Sequence, residues 1–391
     1  MLIRYKRILM LLCLLPYGVL TAFSQYTITF RIQSRPNTHT TDTIFFAGDF
    51  NNWNPGKPGY GFTNNDGYMS LQLNNLPAAT YEFKCTRGDW QKVEYATDGR
   101  EIDNRRVSLQ SDTIIYISIA AWKDDFAVVA KKHNASANVK IIDTAFLIPQ
   151  LDRKRRIWIY LPRGYKASHK KYPVMYMQDG QNVFDEFTAY NGEWAVDETL
   201  DSLIRKGTPP CIVVGIDNGP ERMQEYNPYE YKHFGKGEGD QYVDFLVKTL
   251  KPFIDSHYRT LPSPDNTIIA GSSMGGLIAY YAALKYPDVF ENAGIFSPSF
   301  IIADTIKDFT LSNGNKLTGK LFFYMGEKED NNNLKKVNEI VQLLGENSSA
   351  MIYYAVDPDS SHNEKAWRKW FGSFYKWVMA DWFNNVIDLG K

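Results

Sequence analysis

Residues 268–287 read "IIAGSSMGGLIAYYAALKYP", and this stretch constrains the fold more tightly than any other. Thr267 to Ala270 is a short β-forming run, and the apolar, Ala-rich run after Gly276 reads as a buried helix. Between them the chain must turn through Gly271-Ser272-Ser273-Met274-Gly275-Gly276. Gly-x-Ser-x-Gly between a strand and a helix is a nucleophile elbow, a turn so tight that its flanking side chains must be small. Ser273 is then pushed out with its Oγ exposed at the carboxyl edge of a sheet. The helix beginning near Met274 aims its N-terminal amides at the place where an oxyanion would develop.

Around this element the chain alternates. Strand-like runs start at Ile157, Val174, Ile212, Thr267, Ala293, Leu321 and Met351, with helical patterns between them. That alternation predicts an α/β fold over 139–391, a mostly parallel sheet with helices on both faces. One helical stripe is Tyr242, Phe245, Leu246, Leu250, Phe253 and Ile254, which Pro252 is expected to kink or shorten. A second stripe is Trp367, Trp370, Phe371, Phe374 and Val378.

A chain of 391 residues favours two domains. Residues 25–125 carry short β-rich runs such as "YTITFRI", "DTIFFAG" and "TIIYISI", separated by Asn, Asp and Gly turns. They predict an all-β, immunoglobulin-like sandwich. Residues 126–138 have little apolar pattern and read as a linker. Residues 1–24 have a basic start, an apolar run from Ile8 to Leu20 and small residues before Gln25, the signature of a signal peptide. An exported protein, periplasmic or secreted and off the membrane after cleavage, is expected. Cys85 and Cys211 fall in different predicted domains and read as buried hydrophobes rather than a disulfide.

Lys+Arg and Asp+Glu both number 44, so the net charge is zero and a nucleic-acid partner is not expected. Arg153 to Arg156 reads as a solvated strand entrance. Aromatics make up 15% of the chain, a composition that suits sugar-binding surfaces.

A serine hydroxyl needs a base. With the order Ser, acid, His, the only histidine downstream of Ser273 is His362, in the polar loop "DPDSSHNEKAW". The acid is expected after "LFFYM", where Glu327, Glu329 and Asp330 offer three carboxylates that pattern alone does not separate. A second oxyanion amide is expected after Val174–Gln178, where Gln181 N–H joins that of Met274. Asp179, before Gly180, reads as a turn former. Asp185-Glu186 is joined by no His or Cys in its loop, so no metal site and no cofactor are expected.

"YPVMYMQDGQNVFD", "VVGIDNGPERMQEYNP", the elbow, "GIFSPSF" and "SSHNEKAWRKW" together resemble the putative-esterase family of α/β-hydrolases, from about Val139 onward. That family includes enterochelin esterases, S-formylglutathione hydrolases and family-one carbohydrate esterases. The resemblance implies Glu329 as the acid, where many members carry Asp. It also implies cleft-lining roles for Arg222, Tyr226 and Phe296. "IFFAGDFNNWNP" and "YEFKCTRGDWQKVEYATDGREIDNR" resemble starch- and glycogen-binding sandwiches, with Trp53, Trp90 and Tyr95 as stacking candidates and Lys84 nearby. The function implied is an exported serine esterase that removes acetyl- or feruloyl-type groups from oligo- or polysaccharide. Two alternatives are a siderophore trilactone esterase and a sugar-binding protein with a vestigial hydrolase domain. The acyl group, the sugar and the oligomeric state are not legible at this level.

Overall fold

The β-rich half is built on aromatic residues that alternate in and out of one core. The computed structural model describes residues 25–51, 53–65, 67–126, 131–190, 192–231 and 235–380; the expected signal peptide lies outside them. Contacts divide the chain into two units, Met1–Val129 and Ala130–Lys391. In the first unit the strands are β1 Gln25–Ser34, β2 Phe45–Gly48, β3 Thr63–Asn65, β4 Tyr68–Pro77, β5 Ala79–Thr86, β6 Glu94–Tyr95, β7 Arg105–Leu109, β8 Thr113–Ser118 and β9 Ala121–Trp122. They form a sheet ordered β3-β4-β1-β8, a second ordered β2-β5-β7 and the small pair β6-β9. Phe30 from the first sheet meets Phe46 of the second at 4.4 Å between ring centres, and Phe46 stacks on Phe83 at 4.3 Å. The two sheets therefore share one buried core, to which Ile28, Leu109 and Ile117 also belong.

In the second unit the strands are β10 Val139–Ile148, β11 Arg153–Tyr160, β12 Val174–Gln178, β13 Ile212–Ile216, β14 Thr267–Ser272, β15 Asn292–Phe296, β16 Lys320–Gly326 and β17 Met351–Asp357. They make one sheet ordered β10-β11-β13-β12-β14-β15-β16-β17. β10 and β11 run antiparallel and the pairs from β13 to β17 are parallel. Alternate residues of β12 feed opposite cores: Val174 and Tyr176 on one face, Met175 and Met177 on the other. Burial on both faces explains why β12 to β16 read as continuous apolar runs rather than alternating ones. The helices are α1 Val196–Arg205, α2 Arg222–Glu225, α3 Gly239–Phe245, α4 Lys251–His257, α5 Met274–Lys285, α6 Ile306–Asn313, α7 Asn331–Asn347 and α8 Glu364–Val378. The stripe on α8 packs with α1 on one face; α3 to α7 contribute to the other.

Three local expectations change. The helix with Pro252 is neither broken nor shortened: α3 runs through a π turn, Leu246–Leu250, directly into α4. Widening the turn just before the proline accommodates its missing N–H and its ring. The Arg153 to Arg156 run opens β11 and is only partly solvated: Lys154 is exposed, but the three arginines are held by acids. Arg155 is buried, Arg153 and Arg155 both bind the buried Glu225, and Arg156 meets Asp217 at 2.8 Å. Residues 131–138 are not a free linker either. Ser136 N–H donates to Asp197 at 2.6 Å, and Asn138 to Asp201 at 2.9 Å. Cys85 and Cys211 are free and buried.

Candidate active site

Ser273 sits between β14 and α5 with φ 58° and ψ −122°, a backbone shape that L side chains rarely adopt. Such strain persists only where its surroundings over-determine it. Here Ser273 N–H donates to Phe296 O at 2.9 Å, and Ser273 O accepts from Leu277 at 3.0 Å and Ser299 at 3.1 Å. The small neighbours are required: a Cβ on Gly271 would lie 2.5 Å from Gly275 O, and one on Gly275 would lie 3.1 Å from an Asp179 oxygen. The Ser273 hydroxyl is 3.2 Å from that of Ser299.

His362 lies after β17 and half-exposed, and its Nδ1 is 2.9 Å from Glu329 Oε2. Glu329, after β16, is buried. Its other oxygen accepts from Gly326 N–H at 2.8 Å and from the Ser297 hydroxyl at 2.6 Å. Trp367 N–H donates to that same hydroxyl at 2.9 Å, and its ring stands edge-on to His362, 5.1 Å between centres. The neighbouring carboxylates do other things. Asp330 caps α7, accepting from the N–H groups of Asn332 and Asn333 at 2.8 Å, and Glu327 is exposed. Of the three acids left open by the sequence, Glu329 is the one held on His362.

Gln181 is buried in the turn Gly180–Asn182, directly after β12. Its side-chain oxygen accepts from Asn218 N–H at 3.1 Å. Asp179 does form the turn, with φ 56°, and it also anchors the neighbouring loop. Its carboxylate takes Arg222 through two bonds, 2.7 and 2.8 Å, and Asn218 at 2.6 Å. Asp179 N–H donates to the Tyr226 hydroxyl at 3.2 Å.

Among the expected cleft residues, Arg222 is part-exposed at 24% and committed to Asp179. Tyr226 and Phe296 are corrections. Both are fully buried. Tyr226 packs on Tyr242, and Phe296 is enclosed by Trp194, Phe322, Tyr324 and Phe374. Each stands at the end of a segment expected to line the cleft but turns its ring into the core. Asp185 is also joined by a histidine after all: His133, from far upstream, reaches it at 2.7 Å. Among the described residues no group of three or more His, Cys, Asp or Glu could hold a metal ion.

In the first unit Trp53 and Trp90 stack, 6.3 Å apart and 25° between planes, and Trp90 is exposed. Trp53 is pinned at φ 56° and by its N–H on Asp49 at 3.1 Å. Tyr95 is half-buried in β6. Lys84 is buried and paired with Glu101 at 2.7 Å.

The family model described as putative esterase matches residues 148–376, which holds the elbow, Glu329 and His362 together. The chain belongs to the putative-esterase family. This esterase is similar to the uncharacterized protein YbbA of Bacillus subtilis, 26% identical over 242 residues, 57% of this chain and 92% of that one. It is similar to an endo-1,4-beta-xylanase/feruloyl esterase of Xylanibacter ruminicola, 24% identical over 264 residues, 65% of this chain but 34% of that longer one. Its fold is similar to that of the enterochelin esterase from Shigella flexneri, with a TM-score of 0.54 at 16% identity over 91% of this chain and 93% of that one.

Sequence reading of this esterase placed Ser297 and Ser299 in a cleft-lining segment but gave them no individual role, and gave Trp367 only a place in a core stripe. Ser297 and Ser299 were visible only as part of "GIFSPSF", at the carboxyl end of the strand beside the elbow strand. Trp367 was indistinguishable from the core stripe of α8.

Proposed function

We propose that the protein is an exported serine carboxylic-ester hydrolase that removes acetyl- or feruloyl-type groups from carbohydrate. The observation that carries the chemistry is the 2.9 Å contact between His362 Nδ1 and a buried Glu329, on loops at the same sheet edge as the strained Ser273. In this reading Ser273 Oγ attacks the ester carbonyl and His362 Nε2 takes its proton. Glu329 holds the Nδ1–H and stabilises the imidazolium that forms. The backbone N–H groups of Met274 and Gln181 take the negative oxygen. The protonated His362 then returns its proton to the leaving alcohol. Water, deprotonated by the same histidine, frees the acid and restores Ser273.

Acylated carbohydrate is favoured by the xylanase/feruloyl esterase relative and by the exposed Trp90 beside Trp53, an indole suited to a pyranose face. A siderophore trilactone esterase is the second reading, favoured by a fold likeness to enterochelin esterase that spans 91% of the chain. The vestigial reading is disfavoured, because a buried acid aimed at a half-exposed histidine has no use in a sugar-binding protein. Free acid released from acetylated oligosaccharide, feruloylated oligosaccharide and ferric siderophore separates the readings. Acid from the siderophore alone would replace the carbohydrate reading. Mobility of the isolated first unit in gels containing starch, xylan or no polymer tests the tryptophan pair; equal mobility in all would make it a spacer. The N-terminal sequence of mature protein recovered outside the cytoplasm tests export, with Gln25 as the expected first residue.

A further inference from the structure

The two most exposed Phe, Tyr or Trp residues among the described residues of the second unit stand on one loop, three positions apart: Phe187 at 52% and Tyr190 at 67%. An exposed ring on a slack loop would mean little. This loop is not slack. Every backbone N–H from Glu186 to Tyr190 has an acceptor. Glu186 donates to Asn134 Oδ1 at 2.7 Å, Phe187 to Asp185 Oδ1 at 3.1 Å, and Tyr190 to Asn182 Oδ1 at 3.1 Å. Thr188 and Ala189 both donate to Asp185 O at 3.1 Å. Lys131 Nζ binds the carbonyls of Ala189 and Tyr190. The His133 ring lies against Phe187 at 4.0 Å between centres.

The loop is also tied to the turn that carries Gln181. The Thr188 hydroxyl donates to Gln181 O at 2.7 Å, and Asn182 of the same turn holds Tyr190. The fold has thus fixed a backbone while leaving two large rings in water, in register with the turn assigned above to the oxyanion. Rings held this way lose little freedom when a ligand settles on them, which is how preorganised aromatic surfaces bind.

We propose that Phe187 and Tyr190 form a stacking platform for the flat apolar face of a six-membered ring in the substrate. The ring is either a pyranose of the carbohydrate or the aryl group of the acyl chain. The assignment rests on the esterase reading only in placing Gln181 beside the reacting carbonyl.

The test compares wild type, Phe187→Ala/Tyr190→Ala and Phe187→Trp on three esters: acetylated xylo-oligosaccharide, methyl ferulate and ethyl acetate. The first carries a sugar without an aryl ring, the second an aryl ring without a sugar, and the third neither. The double alanine variant is expected to lose about tenfold or more in kcat/KM on at least one ring-bearing ester, at least fivefold beyond its loss on ethyl acetate. Phe187→Trp is expected to keep it. Whichever ring-bearing ester falls identifies the ring. Equal losses on all three esters, or none, would overturn the platform. Affinity is measured separately in the Ser273→Ala background, by titrating unacylated xylo-oligosaccharide and ferulic acid. There the alanine pair is expected to weaken one of them by a similar factor. Unchanged affinity for both overturns the platform even if the protein proves to hydrolyse none of these esters.

Discussion

Ser297 donates its hydroxyl to Glu329 Oε1 at 2.6 Å while accepting Trp367 N–H at 2.9 Å, so the acid facing His362 is held from behind by a fully buried serine. Ser297 has φ 43°, a second strained serine at this sheet edge. Removing the hydroxyl leaves Glu329 with Gly326 N–H on that oxygen and leaves Trp367 N–H unpartnered. We expect Ser297→Ala to lower kcat by about 10- to 100-fold with KM changed less than about threefold, the scale seen when a supporting hydrogen bond is lost. If Ser297 acts through the acid, the same substitution in a Glu329→Gln background costs little more. Full additivity of the two losses would contradict this.

The acid itself separates from its neighbours. Glu329→Gln keeps the shape but loses the charge that orients the histidine, and kcat is expected to fall by about 10³ to 10⁴. Asp330→Ala removes a helix cap and is expected to cost about 1 kcal/mol of stability with kcat within about threefold. Turnover and thermal midpoints of the two variants check both halves. A slow Asp330→Ala enzyme beside an active Glu329→Gln one would overturn the assignment.

How much of this was legible in the sequence follows the range of the interaction. The elbow was legible because strand, turn and helix are contiguous, and steric need for Gly271 and Gly275 is local. His362 was legible from chain order alone. Choosing Glu329 over Asp330 was legible only through the family resemblance and not from pattern, because it depends on which carboxylate β16 aims at β17's loop and which one the next helix recruits as its cap. Tyr226 and Phe296 were placed in the cleft by their neighbours in sequence, yet ring direction is set by packing against Tyr242 and Phe374. Arg153 to Arg156 looked solvated because their acids, Glu225 and Asp217, are some 60 to 70 positions away, at |i−j| of 61, 70 and 72. The first unit's strands were legible where β-formers cluster and missed at β3, β6, β7 and β9, which are short or polar.

The stretch 131–138 bears on where the second unit can be cut. His133 and Asn134 serve the buried Asp185 and Glu193, and Ser136 N–H serves the buried Asp197. A chain starting at Ala137 leaves these carboxylates short of donors, at about 1–3 kcal/mol each. At about 2 °C per kcal/mol for a unit of this size, we expect its thermal midpoint to lie roughly 6–18 °C below that of a chain starting at Lys131. Equal midpoints would show that the stretch is a passive linker.

The same acid cluster gives stability a pH slope. Burial raises the Glu193 carboxyl, and loss of water together with the adjacent Asp197 pushes Glu198 up to about 8. Between the ordinary Glu value, about 4.3, and those raised values the folded chain holds protons that the unfolded chain has released. Stability from these groups therefore declines as pH rises through that window. Glu198 is exposed to solvent, which keeps its share small. Glu198→Gln is expected to gain on wild type in thermal midpoint as pH goes from 6 to 8. A gap that stays constant or shrinks would contradict the sign.

Ser273 as nucleophile is tested by the turnover number of Ser273→Ala on p-nitrophenyl acetate, with thermal midpoints measured beside it. Loss of about 10³-fold or more at an unchanged midpoint is the expected result. Activity within tenfold of wild type would contradict the account.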